Sequence, residues 1–200
     1  MISKLPLHDA TFRPHDLPQD GLYFFYEKGE VCFDGSSRIV RIGTHKKQGR
    51  LPGRLRDHYR SNRYGSVFRW HLGRAMLRAK AADIQEINTW EIKKGPKMPA
   101  VEKDVNLWLQ EKFLFCCLPV PIESDRLALE AWLIATLSAC NNCHPTSHWV
   151  GYYSPEETIR LSGLWNVDHV NKCYEPVASE LFLGKISFLV SDCLKGGNGG

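Results

Sequence analysis

A carboxylate inside an apolar helix and a cation one helical turn from an imidazole are the features of this chain that core packing alone does not explain. In DRLALEAWLIATLSAC (125–140), Glu130 sits in a stripe with Leu127 and Ile134 and is the only charge after Arg126. A helix apolar almost all round is buried on most sides, and a buried carboxylate needs a partner, a metal or a raised pKa. An i,i+4 ion pair with Arg126 is the structural alternative. In LPGRLRDHYRSN (51–62), Arg54 and His58 lie four residues apart and share a face beside the stripe of Leu51, Leu55 and Tyr59. Upstream, GLYFFYEKGE (21–30) and RIVRIGTHKKQG (38–49) place a tyrosine in one strand-like run and arginines, a threonine and His45 at the tip of the next. CNNCH (140–144) has CxxC spacing, yet no second ligand pair lies at finger-like spacing. Cys140 and Cys143 therefore read as loop cysteines.

These residues need elements to hold them. Residues 21–27 and 38–44 read as an antiparallel hairpin whose turn residues lie in KGEVCFDGSS. A helix from Pro52 to about Asn62 and a second over SVFRWHLGRAMLRAKA (66–81) follow, and INTWEIKK (87–94) reads as a strand or an extended loop. AVEKDVNLWLQEKF (100–113) has a helical face, FLFCCLPVPI (113–122) is a strand ended by prolines, and the Glu130 helix comes next. SPEETIRLSG opens a helix with Ser154 as N-cap and Pro155 at the first position, and EPVASELFLGKISFLVSDC (175–193) is the last helix.

Two hundred residues at 43% hydrophobic and 24% charged suit one globular unit. The net charge of +4 is mild, but its distribution is not: thirteen arginines and lysines from Arg38 to Lys80 face one acid, Asp57. Such a block suits a phosphate-backbone binder. No stretch of 18 or more apolar residues and no apolar signal segment is seen, and the seven cysteines are odd in number, so an intracellular protein with free thiols and no membrane partner is expected. Six tryptophans, two of them in HWVGYYSP and SGLWNVDHV, allow a protein-interaction reading of the second half, although tryptophans serve more often as core anchors.

GLY at 21–23, RIG at 41–43, GRLRDH at 53–58 and the later glutamate in an apolar helix, in that order, resemble the GIY-YIG nuclease family. The resemblance covers roughly residues 20–150, flanked by an N-terminal extension (1–19), a helical C-terminal elaboration (151–194) and a flexible tail (195–200). It implies an α+β fold with a small, mainly antiparallel three-stranded sheet flanked by helices, and metal-dependent cleavage of DNA. Tyr23, Arg54 and His58 would be catalytic, and Glu130 would hold one Mg²⁺ or Mn²⁺. Asn142, rather than Asn141, would match the family's later asparagine. Arg41, Lys46, Lys47, Arg50, Arg56 and Arg69 would contact DNA, expected to be double-stranded, and a homodimer is compatible with this reading. Where the second motif has a tyrosine this chain has Arg41, which cannot act as a base; His45 is a candidate replacement, with a phosphate-contacting role as the alternative. The rival reading is a binding module of the same fold that has lost cleavage. Restriction or defence and repair roles share all of these residues.

Overall fold

The computed structural model describes residues 2–170, 172–173 and 176–196. Strands β1 (Gly21–Val31), β2 (Ser37–Gly43) and β3 (Phe113–Pro119) form one antiparallel sheet in the order β2-β1-β3. The described residues form seven α-helices, α1 (Leu51–Arg60), α2 (Val67–Ala79), α3 (Ile84–Glu91), α4 (Pro99–Lys112), α5 (Glu123–Ser138), α6 (Glu157–Ser162) and α7 (Pro176–Gly196). This is the expected α+β architecture. The expected tail falls partly within α7, and its residues 197–200 lie outside the described residues.

The central strand explains its own sequence. β1 is paired on both edges and covered on both faces, so it reads as a nearly unbroken apolar run. Alternation then sorts its side chains. Tyr23 and Phe25 join a core built with Leu51 and Leu55 of α1, Leu72 of α2 and Leu109 of α4, whereas Leu22, Phe24 and Tyr26 join one with Leu129 and Ile134 of α5 and Ile186 of α7. In the ladder Tyr23 stands opposite Gly43. A Cβ at Gly43 would lie 2.1 Å from the Tyr23 hydroxyl, so the glycine of RIG makes room for the tyrosine ring.

Both sheet edges are closed by distant chain. His8 exchanges two backbone hydrogen bonds with Phe115 of β3 (2.7 and 2.9 Å). On β2, the Trp165 N–H donates to Val40 O (2.7 Å), and the Asn166 side chain receives the Ile42 N–H and donates to the Ile42 carbonyl (3.1 and 2.9 Å). Free strand edges invite unwanted pairing, and here an amide side chain imitates a neighbouring strand. Packing thus runs across the expected limits at 20 and 150: Phe12 and Leu17 before them and Ile159 and Trp165 after them lie in the same core as Tyr23.

Two local expectations need correction. INTWEIKK is neither strand nor extended loop, because residues 84–91 are helical: the Asp83 carboxylate accepts from the Gln85 N–H (2.8 Å), capping α3, and buried Trp90 packs on Gly73 of α2. The helix expected from Pro155 starts two residues later, since the Ser154 hydroxyl accepts from the Glu156 N–H (3.2 Å) and forms a turn ahead of α6. Trp149 and Trp165 are core anchors, not a partner-binding surface.

Candidate active site

Tyr23 leads into the site. Its hydroxyl lies 2.8 Å from Nε2 of His58, and His58 Nδ1 lies 2.8 Å from Oγ of Ser66. Ser66 is the N-cap of α2, accepting the Arg69 N–H (3.3 Å), so a helix terminus fixes the far end of this chain of polar groups. His58 is fully buried. Burial, followed by the charges of Arg54, Arg41 and Arg69, holds its pKa well below the usual histidine value, and the ring is neutral at neutral pH.

Around the tyrosine opens a cleft of about 510 Å³, lined among others by Tyr23, Arg41, Arg54, Glu130 and Asn166. A hollow of about 560 Å³ elsewhere is lined mainly by apolar side chains such as Leu5, Ile39 and Trp132, and lacks this grouping. Arg54 is half-buried and donates to the Gly65 carbonyl (3.0 Å). Arg41 donates to the Trp165 carbonyl and stacks over the Phe68 ring at 5.1 Å, so it is held inside the cleft, not spread over an outer surface. Glu130 enters from α5. Burial raises its pKa; Arg41, the Thr44 N–H and Arg54 oppose that rise, and Asp168 adds to it. The i,i+4 pair with Arg126 does not form, because the Arg126 guanidinium turns to the carbonyls of Val120 and Pro121 (3.2 and 2.8 Å) and to Asp20 (3.6 Å).

The other candidates divide by exposure. Lys46, Lys47 and Arg50 are exposed on the cleft rim and Arg56 is exposed on α1, all free to meet a polyanion, with Arg50 also pairing Asp57 (3.0 Å). Arg69 is not a DNA contact: fully buried, it pairs with Glu102 (2.8 Å) and donates to the His58 carbonyl (2.9 Å). His45 lines the cleft, but both ring nitrogens are engaged, Nδ1 with the Lys47 carbonyl (2.7 Å) and Nε2 with the Gly21 N–H (3.3 Å). With its acceptor nitrogen occupied, His45 fastens the start of β1 to the loop after β2 and is badly placed to take a proton. Its pKa is lowered, chiefly by burial.

Asn141 and Asn142 are exposed in the turn beyond α5, away from the cleft lining. The asparagine brought to the site is Asn166, together with Trp165, Asp168 and His169 from the same segment. His169 has a left-handed backbone (φ 67°), and its buried Nδ1 makes no hydrogen bond. Sequence order gave no hint of these four, because the chain returns to the β2 edge only after α6. His71, its pKa lowered to about 4 mainly by burial, also lines the cleft unannounced.

Among known families, the GIY-YIG domain matches this chain over residues 3–190. No curated protein and no solved structure matches it.

Proposed function

This chain belongs to the GIY-YIG family, and from that premise and the cleft we propose that it is a metal-dependent endonuclease hydrolysing phosphodiester bonds in DNA. The observation that carries the reading is the convergence of Tyr23 from β1, Arg41 from β2, Arg54 from α1 and Glu130 from α5 on one cleft, with His58 directly behind the tyrosine.

The donor set suits one hard divalent cation. Among the described residues no group of three or more histidine, cysteine or carboxylate side chains could cage a metal. A lone carboxylate in a polar cleft is how Mg²⁺ or Mn²⁺ is held when water and substrate phosphate complete the shell. Glu130 would hold that ion, which when bound polarises the phosphate and stabilises the leaving oxygen.

The remaining chemistry belongs to the protein. Arg54 presents a planar fork to the non-bridging oxygens, where negative charge builds. Arg41, oriented by the Trp165 carbonyl and the Phe68 ring, adds a second cation in place of the tyrosine usual in the second motif. With the His58 Nδ1–H donating to Ser66, Nε2 accepts from the Tyr23 hydroxyl, and the tyrosine oxygen turns its lone pairs to the cleft. Tyr23 can then take a proton from the attacking water while passing its own to His58. The neutrality imposed on His58 by burial keeps that acceptor open.

Duplex DNA is the substrate proposed, approached through Lys46, Lys47, Arg50 and Arg56. A homodimer would present a second cleft to the opposite strand. Restriction or defence and repair use the same chemistry, and a panel of linear, nicked and branched duplexes separates them. The direct test is supercoiled plasmid incubated with purified protein, with and without Mg²⁺ or Mn²⁺, over a salt series. Nicking should require metal and weaken with salt. DNA binding without nicking under every condition would make the protein a binding module instead.

A further inference from the structure

Three cysteines far apart in sequence meet at the end of the sheet remote from Glu130. Cys32 is the first residue after β1, fixed in the hairpin turn by its N–H to the Ser36 carbonyl (2.8 Å) and by the Gly35 N–H to its own carbonyl (3.0 Å). Cys143 lies in the loop after α5, and its Sγ is 2.9 Å from Cys32 Sγ. Cys140 is close enough to Cys143 to influence its thiol. All three are half-buried, so a small oxidant can reach them. Zinc is the other partner such thiols take, but among the described residues no group of three or more ligands is arranged for a metal. The two backbones are already registered independently of sulfur: Glu30 of β1 accepts from the Thr146 N–H (3.1 Å) and pairs with Arg38 of β2 (2.6 Å), and Arg38 donates to the Gly163 carbonyl (2.6 Å).

We propose that Cys32 and Cys143 are a redox pair, converted by a hydroperoxide into a reversible disulfide that clamps the β1–β2 turn to the loop after α5. The sulfurs need approach by only about 0.9 Å from their present separation to reach the S–S bond length of about 2.05 Å. The Cys32 thiolate attacks the peroxide, the O–O bond breaks, and a sulfenic acid and hydroxide form. The Cys143 sulfur then displaces the sulfenic hydroxyl: the S–S bond forms, and the Cys143 proton leaves with that hydroxyl as water. In sum two thiols lose two electrons and two protons, and hydrogen peroxide becomes two waters. Burial pushes the Cys143 thiol up to about 12, which suits the resolving role better than first attack. This inference does not depend on the nuclease reading.

The test treats the full chain with hydrogen peroxide, maps cross-linked peptides without reductant, and follows thermal unfolding. The expected product joins Cys32 to Cys143, is reversed by dithiothreitol, persists in Cys140→Ser, and is absent from both Cys143→Ser and Cys32→Ser. Because the closed loop is long, Tm should rise by about 5–15 °C on oxidation of the parent. Peptide mapping of the parent needs no variant, so a serine substitution that fails to fold leaves the test intact. A Cys140–Cys143 bridge as the sole product, oxidation only to sulfinic or sulfonic acids, or stoichiometric zinc in the purified protein that blocks oxidation would overturn the proposal.

Discussion

Two glutamates, one buried and one half-buried, sit on opposite kinds of ground in this protein. Glu27, on β1, is 6% exposed and accepts hydrogen bonds from three indoles, Trp108 (3.2 Å), Trp149 (3.1 Å) and Trp165 (3.5 Å). Glu130, on α5, opens on a cleft with Arg41, Arg54 and, more weakly, Asp168 as its charged neighbours. Burial raises both pKa values, that of Glu27 to about 7. A shifted pKa therefore does not distinguish a structural acid from a reactive one. What distinguishes them is access and company: neutral donors in a closed aromatic box around one, cations and space for a ligand around the other. Glu27 also serves the cleft indirectly, because it fastens the ring of Trp165, whose carbonyl orients Arg41.

The comparison implies that changes in the cleft cost turnover with little loss of stability, whereas changes in the aromatic box cost stability first. The largest effect is expected from Tyr23→Phe, which keeps the ring beside Gly43 and removes only the hydroxyl bonded to His58. Plasmid nicking should fall about 10³-fold, within the range of general acid–base contributions, with melting little changed; nicking at the parental rate would remove Tyr23 from the reaction. Arg54→Lys keeps the charge and loses the fork, so turnover should drop about 10²-fold, the scale of one lost transition-state donor. Equal rates would reduce Arg54 to a surface charge.

Titration sharpens the contrast further. An ordinary histidine base would give an acidic limb near pH 6.5, but the buried His58 accepts a solvent proton only well below that value. The kcat/KM profile should therefore be flat through pH 6.5 and bend downward only in more acidic buffer. A limb at 6.5 that vanishes in His58→Ala would contradict the burial argument.

The smallest effect concerns Glu27, whose pKa is raised on folding from 4.5 to about 7. A raised acid binds more protons folded than unfolded, so its contribution is fully present below the unfolded pKa, is lost as pH rises toward 7, and is constant above. Between pH 5 and 8 the parent should lose about 2–3 kcal/mol relative to Glu27→Gln, which does not titrate. Denaturant unfolding at both pH values checks this, and parallel curves would show that Glu27 is not strained by its box.

Much of this arrangement was legible in the chain. The aromatic run GLYFFY reads as a strand of the hairpin, the apolar helix around Glu130 singles out its one carboxylate, and the Arg54–His58 spacing puts both on one helix face. Long-range pairing was not legible. Arg69 looked like one more surface cation because its partner, Glu102, lies on another helix, and the alternative pairing of Arg126 with Glu130 fails because the guanidinium turns toward Val120 and Pro121. Asn142 was favoured by sequence order, yet Asn166 reaches the cleft because the segment after α6 folds back along β2. Glu27 shares the face of Tyr23 and Phe25 by simple alternation, but the indoles that accommodate it come from residues 108, 149 and 165. Asp83, which caps α3, stands four residues ahead of INTWEIKK, and an aspartate at that place is a helix-start signal.

The most direct measurement of the central claim is the metal-dependent nicking rate of Glu130→Gln beside that of Glu27→Gln, at protein concentrations that saturate the plasmid. The account predicts that Glu130→Gln binds DNA but does not nick it in Mg²⁺ or Mn²⁺, whereas folded Glu27→Gln nicks at close to the parental rate. Parental nicking by Glu130→Gln would contradict it and place the metal-holding group elsewhere.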